Sequence, residues 1–178
     1  PPRSTLFPYT TLFRSHIVLG EGSAAGMAGL SLETPAGAVR EDKQHRPPKW
    51  RTPMAHGYSY GYFKRSEGAD STYSKRQGID AFVKEGLPES WAGDVFVVDQ
   101  VDPRTGRFDE HKVLVGPDSE DEARVDYLKH YEKGWEGLGA VTRMTWQEFQ
   151  SWRKAGKASA PVGRSEEHTS ELQSPCNL

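Results

Sequence analysis

Residues 94–115 read DVFVVDQVDPRTGRFDEHKVLV, and this stretch decides the fold. A run dominated by β-branched residues, 94–101, and a second candidate run, 108–115, flank Asp102-Pro103-Arg104-Thr105-Gly106. That insert sets Pro and Gly where a turn needs a fixed φ and a free one. The stretch predicts a β-hairpin with a somewhat long loop. Upstream, the aromatic-rich run 58–63 and the apolar run 79–83 predict two more strands. After Gly116-Pro117 the period changes: Ser119 and Glu122 form a capping-box pair, and Ala123, Tyr127, Leu128 and Tyr131 recur at helical spacing. This predicts a helix from about Glu120 to Glu132, ended by Gly134 and Gly137. Thr145 with Glu148 opens a second, short helix through Trp146, Phe149 and Trp152. Strands first and helices last argue for an α+β domain with a small antiparallel sheet or barrel.

Both ends read differently from the middle. Residues 4–15 (STLFPYTTLFRS) and 164–174 (RSEEHTSELQS) resemble translated sequencing-library adapters. Residues 1–15 and 164–178 are therefore set apart as technical sequence with no expected part in the fold. The biological portion is expected to be 16–163, an internal fragment of a longer polypeptide. Within it, 16–31 is a Gly/Ala-rich linker or domain edge, 32–155 the folded domain and 156–163 a tail. The run 20–29 (GEGSAAGMAG) is no phosphate loop, since no Gly-Lys-Ser/Thr follows. That length suits one domain with a core rather than two.

The net charge is −2, and the flanks hold Arg3, Arg14 and Arg164 against Glu166, Glu167 and Glu171, so it stays −2 without them. Balanced charge leaves no electrostatic footprint for nonspecific nucleic-acid binding. The single cysteine, Cys176, lies in the C-terminal flank, which removes a disulfide framework and a cysteine-zinc site from consideration. No apolar run approaches the ~20 residues that span a bilayer, so a soluble cytosolic domain with no membrane partner is expected.

The chemistry rests on aspartates set on or beside strands. Asp70 closes the turn after the 58–63 strand, Asp80 sits within an apolar strand, and Asp99 near the end of the most apolar one. Asp109 is expected to face Asp99 across the hairpin turn. A carboxylate in a β-branched run is costly to bury unless paired or bound to a cation. Converging carboxylates without cysteine form a hard oxygen site suited to Mg²⁺ or Mn²⁺. Arg40, Arg51, Tyr60, Lys112, Tyr131 and Lys133 stand nearby in sequence as cations and phenols. Such a set suits a phosphoanhydride. The same residues also fit a plainer role, as turn aspartates and a solvated hairpin face. His45, His56, His111 and His130 lack metal-ligand spacing and read as surface or hydrogen-bonded residues.

Taken in order, several stretches resemble the soluble inorganic pyrophosphatases, and more closely the pyrophosphatase-like domain of large multidomain (polyvalent) proteins of phages and mobile elements. They are ETPAG (33–37), YGYF (60–63), Asp80 in its strand, VVDQ (97–100), FDEHKV (108–113) and HYEKGW (130–135). The resemblance implies a small antiparallel five-stranded β-barrel of the oligonucleotide-binding type, flanked by two to three helices. It implies Mg²⁺-dependent hydrolysis of pyrophosphate, with Mn²⁺ as a substitute, in a bacterial host's cytosol. Other domains of a larger parent polypeptide would be its neighbours. By analogy Asp70, Asp80, Asp99 and Asp109 hold the metals, with Glu33 at longer range. Asp70, Tyr60 and Lys112 serve catalysis, and Arg40, Arg51, Tyr131 and Lys133 bind the phosphoryl groups.

One departure stands out. The family carries Asp-Gly-Asp-x-x-Asp, whose middle aspartate orients the attacking water. Here Asp70 is followed by STYSKRQG (71–78) before Ile79-Asp80. Loss of such a base weakens water activation by roughly 10²–10⁴-fold. A catalytically inactive barrel, kept as a binding or structural module, is the alternative reading. A third, single-strand binding on Tyr58, Tyr60, Tyr62 and Phe63, is disfavoured by the charge balance, so no nucleic-acid partner is expected.

Overall fold

The computed structural model of this chain describes residues 29–42, 44–49, 51–54, 57–63, 78–88, 91–155 and 159–162. Asp70, the altered loop 71–77, most of the Gly/Ala-rich linker and both flanks lie outside the described residues.

Among the described residues ten elements follow one another: β1 (Leu30–Thr34), β2 (Val39–Glu41), β3 (Arg51–Pro53), β4 (Tyr58–Phe63), β5 (Ile79–Lys84), β6 (Val95–Val101), β7 (Phe108–Val115), α1 (Glu120–Leu128), β8 (Leu138–Met144) and α2 (Trp146–Lys154). The four strands and two helices read from sequence all form, while β1, β2, β3 and β8 are additional. Six strands make one sheet in the order β1-β4-β5-β7-β6-β8, and β2 pairs with β3 separately. The main sheet is open, with β1 and β8 as its edges, so the five-stranded closed barrel is corrected to a six-stranded mixed sheet. One pair, β5 with β7, runs parallel. The hairpin of β6 and β7 inserts β7 between β5 and β6, which fixes β5 alongside β7 in that sense.

Both faces of the sheet are covered, which explains why β6 is apolar along its length rather than alternating. One face carries Phe63, Ile79, Ala81, Val83, Val95, Val97, Val113 and Val115 against Phe149 of α2. The other carries Tyr58, Tyr60, Phe82, Phe96, Val98 and Leu114 against Ala123 and Tyr127 of α1. Tyr58, Tyr60 and Phe63 are buried, and these rings present no open surface on which a base could stack.

The capping residues act where the sequence puts them. Ser119 Oγ accepts the Glu122 N–H at 3.2 Å, and the Thr145/Glu148 box is complete. Glu122 differs from the sequence reading: its carboxylate accepts from the Asp118 N–H and from Lys84 Nζ, each at 2.7 Å. Helix α1 also stops at Leu128 instead of about Glu132. The following turn tightens, with the His130 N–H on the Tyr127 carbonyl and the Tyr131 N–H on the Leu128 carbonyl. That turn tucks His130 flat against Phe82, ring centroids 3.9 Å apart.

Gly61 lies where β1 meets β4, opposite Leu32. A Cβ there would sit 2.1 Å from the Ser31 carbonyl oxygen and 2.8 Å from Leu32 Cα. Gly61→Ala should push β1 off the sheet and cost about 1–3 kcal/mol, as overpacking does. Thermal unfolding unchanged by the substitution would refute the close approach.

Burial pushes the His130 imidazole from 6.5 down to about 4, opposed by the nearby Asp126 carboxylate. The unfolded chain therefore binds this proton more tightly, so the contribution is complete above pH 6.5 and is lost as pH falls towards 4. At about 1.4 kcal/mol per unit the loss reaches roughly 3 kcal/mol. His130→Phe, which retains the stack, should flatten the acid side of a urea-midpoint profile by one proton. Identical slopes in the two chains would show that His130 does not titrate there.

Candidate active site

Strand register gathers polar groups at one end of the α1-covered face. Asp80 of β5 stands beside Lys112 of β7, which in turn faces Val98 of β6. One step along, Glu110 pairs with Gln100. Side chains two residues apart share a face, so Asp80, Glu110, Lys112, Gln100 and Tyr60 converge. The ammonium of Lys112, 4 % exposed, reaches Asp80 Oδ2 at 2.5 Å and Glu110 Oε1 at 2.7 Å. Burial pulls the Lys112 ammonium down, and the two carboxylates more than reverse this, holding it well above the usual lysine range. Glu110 is raised, first by burial and then by Asp80 and Asp109, against the pull of Lys112. Burial raises the Tyr60 phenol too, with Lys112 opposing. Arg40 of β2 closes the group: its guanidinium donates to Tyr60 Oη at 2.5 Å and lies 3.5 Å from that ring's centroid.

Gln100 joins this charge cluster to the aromatic turn after α1. Its Oε1 accepts from Tyr127 Oη at 2.8 Å and Tyr131 Oη at 2.7 Å. Its Nε2 donates to Asp109 Oδ2 and Glu110 Oε1, each at 3.2 Å. Trp135 stacks on Tyr131 with centroids 4.6 Å apart and donates its indole N–H to Tyr127 Oη at 3.1 Å.

The residues expected from sequence divide accordingly. Asp80, Lys112, Tyr60, Tyr131 and Arg40 come together, and Asp109 touches the group through Gln100. Asp99 does not: it faces His111 on β7 rather than Asp109, in the regular register that precedes the bulge between Gln100 and Val101. It belongs to the opposite face, where its Oδ1 lies 3.1 Å from His111 Nε2 and accepts the Val162 N–H at 3.1 Å. Arg51 pairs with Glu41 at 2.9 Å on the side of the β2–β3 ribbon away from Arg40. Glu33 and Lys133 are exposed. Glu110 and Gln100 are the residues the sequence reading passed over. Glu110 lies two positions before Lys112, and period-two spacing within one strand was the signal that pairs them.

Among the described residues no group of three or more His, Cys, Asp or Glu side chains is arranged to hold a metal ion. The position between Asp80 and Glu110 is filled by the Lys112 ammonium. The described donors are hard oxygens, yet they do not make a magnesium cage by themselves, and no chemical step below is routed through one.

A sequence model of the inorganic pyrophosphatase family matches residues 19–154. The chain belongs to the inorganic pyrophosphatase family. Searches of curated proteins and of solved structures found no match to it.

Lys112→Met keeps the aliphatic stem and leaves Asp80 and Glu110 facing each other unneutralised. Breaking a buried pair costs about 3–5 kcal/mol, and the partial exposure of both carboxylates puts this variant near the lower figure. Denaturant unfolding should report it; a loss below about 0.5 kcal/mol, the level of an exposed pair, would contradict the central role given to this ammonium.

Proposed function

We propose that this domain hydrolyses inorganic pyrophosphate to two phosphates. The observation that carries the reading is the Asp80–Lys112–Glu110 cluster with Tyr60 and Arg40 beside it, in a chain of the inorganic pyrophosphatase family. Arg40 and Lys112 carry N–H donors suited to phosphoryl oxygens, and Tyr60 and Tyr131 stand beside them, the Tyr131 O–H being committed to Gln100. Glu110, raised by burial, is nearer the range in which a carboxylate accepts a proton at neutral pH. Water oxygen bonds to one phosphorus, the bridging P–O bond breaks, the second phosphate leaves, and the water's proton passes to Glu110. The carboxylates of Asp80, Asp109 and Glu110 outnumber the cations Arg40 and Lys112. An anionic substrate therefore has to bring positive charge with it, and Mg²⁺, or Mn²⁺, enters as the counter-ion of pyrophosphate. Asp70 is part of the proposal as a further carboxylate, while Arg51, Lys133, Glu33 and Asp99 have no place in the cluster as built.

The resemblance to pyrophosphatase-like domains of phage and mobile-element polyproteins supports reading the chain as part of a larger polypeptide acting in a host cytosol. Among the described residues no helix is long and apolar enough to cross a membrane. Replacement of the middle aspartate by the 71–78 segment favours a second reading, an inactive descendant of the enzyme.

The test is phosphate release from pyrophosphate by the full chain. We expect turnover that is abolished by chelating the divalent ion and reduced about 10²-fold or more in Glu110→Gln, the scale of a lost general base. Asp99→Asn, on the other face, should leave kcat within a few-fold. A folded but silent wild-type chain would select the inactive reading, and an Asp99→Asn loss equal to that of Glu110→Gln would overturn the site as drawn.

A further inference from the structure

We infer that Gln100 is a positioning residue: its carboxamide sets Tyr131 and Glu110 relative to each other, so that the aromatic wall of the site and its proton-accepting group move as one unit. This rests on the pyrophosphatase reading above. Gln100 is 5 % exposed, on β6, in a strand whose neighbours Val95, Phe96, Val97 and Val98 are all apolar and buried. A primary amide there is expensive unless its hydrogen-bonding capacity is met. It offers two N–H donors and two acceptor lone pairs. The structure uses all four: two phenol hydroxyls on Oε1 and two carboxylates on Nε2.

The chemistry of these partners allows one orientation only. Phenols donate and ionised carboxylates accept, so a flipped amide would set oxygen against oxygen at Asp109 and Glu110. Gln100 is therefore fixed by four partners drawn from β7, α1 and the turn after α1. The chain of bonds runs without a gap from the Trp135 indole through Tyr127 and Gln100 to Glu110, then through Lys112 to Asp80. A methionine of similar shape would fill the space and supply none of these bonds. A glutamate would retain the acceptor for the tyrosines and lose both donors to the carboxylates.

The experiment compares wild type, Gln100→Met, Gln100→Glu, Glu110→Gln and the double variant Gln100→Met/Glu110→Gln in steady-state pyrophosphate hydrolysis. Far-ultraviolet dichroism and thermal unfolding serve as the fold control. Because Gln100 acts through other groups, the expected result is a fall in kcat of about ten-fold or more in Gln100→Met with KM changed by less than about three-fold. Adding Gln100→Met to Glu110→Gln should cost much less than it does in wild type, since coupled residues are not additive. Full additivity in a folded double variant, or wild-type kcat in folded Gln100→Met, overturns the inference while leaving the hydrolase reading intact. Should Gln100→Met fail to fold, Gln100→Glu carries the comparison, with the same fall in kcat expected and a wild-type value overturning it. Absence of turnover in the folded wild-type chain is the separate failure of the hydrolase reading, and the inference falls with it.

Discussion

The placement of one ammonium governs both the architecture and the proposed chemistry. Lys112 sits inside the sheet between β5 and β6, where an unpaired charge would cost several kcal/mol, and it is held there because Asp80 and Glu110 stand on either side. Those contacts require Asp80 to stand level with Lys112, as the parallel pairing of β5 with β7 sets them. A slip of one residue would turn Asp80 towards the aliphatic layer under α2 and leave Lys112 with half its neutralisation. Register, which apolar patterning specifies weakly in a strand buried on both faces, is thus specified here by charge. The cluster proposed to carry the function is also the device that aligns the sheet.

Much of the fold was legible because its signals are local. The hairpin of residues 94–115, the apolar strands before it and the Thr145 cap are each written in one continuous stretch of sequence. The edge strand β8 (LGAVTRM) was hidden because glycine and arginine interrupt its alternation and only the sheet supplies its partner, β6. Closure into a barrel could not be read at all, since it depends on whether the edges β1 and β8 meet, and in this sheet they remain four strands apart.

The site was half legible for a different reason. Asp80 announced itself as a charge inside an apolar strand, Lys112 and Tyr131 stood out as a cation and a phenol near it in sequence, and the family resemblance gave them roles. What a sequence does not display is which face a residue occupies when both faces are apolar. Asp99 shares the face of Val95 and Val97, while Gln100 shares that of Phe96 and Val98. The regular register before the bulge then puts Glu110, not Asp109, directly opposite Gln100. The two arginines make the same point: Arg40 turns inward to Tyr60, and Arg51 turns out to Glu41. Resemblance carries residue types across; it does not carry the side of the ribbon.

The parallel pairing of β5 with β7 also has a kinetic meaning. The β6–β7 hairpin is closed by a turn of a few residues, with the Asp102 carbonyl accepting from Thr105 and Gly106. The Asp80–Lys112 contact closes across 32 residues. Loop-closure entropy therefore delays it relative to the hairpin. Until it closes, Lys112 lacks its Asp80 partner, and Glu110, two residues away on the same strand face, is the carboxylate beside it. Assembly of the charge cluster and arrival of β5 beside β7 are then one event, so the proposed site forms with this long-range closure, while the β6–β8 pairing closes across still longer separations.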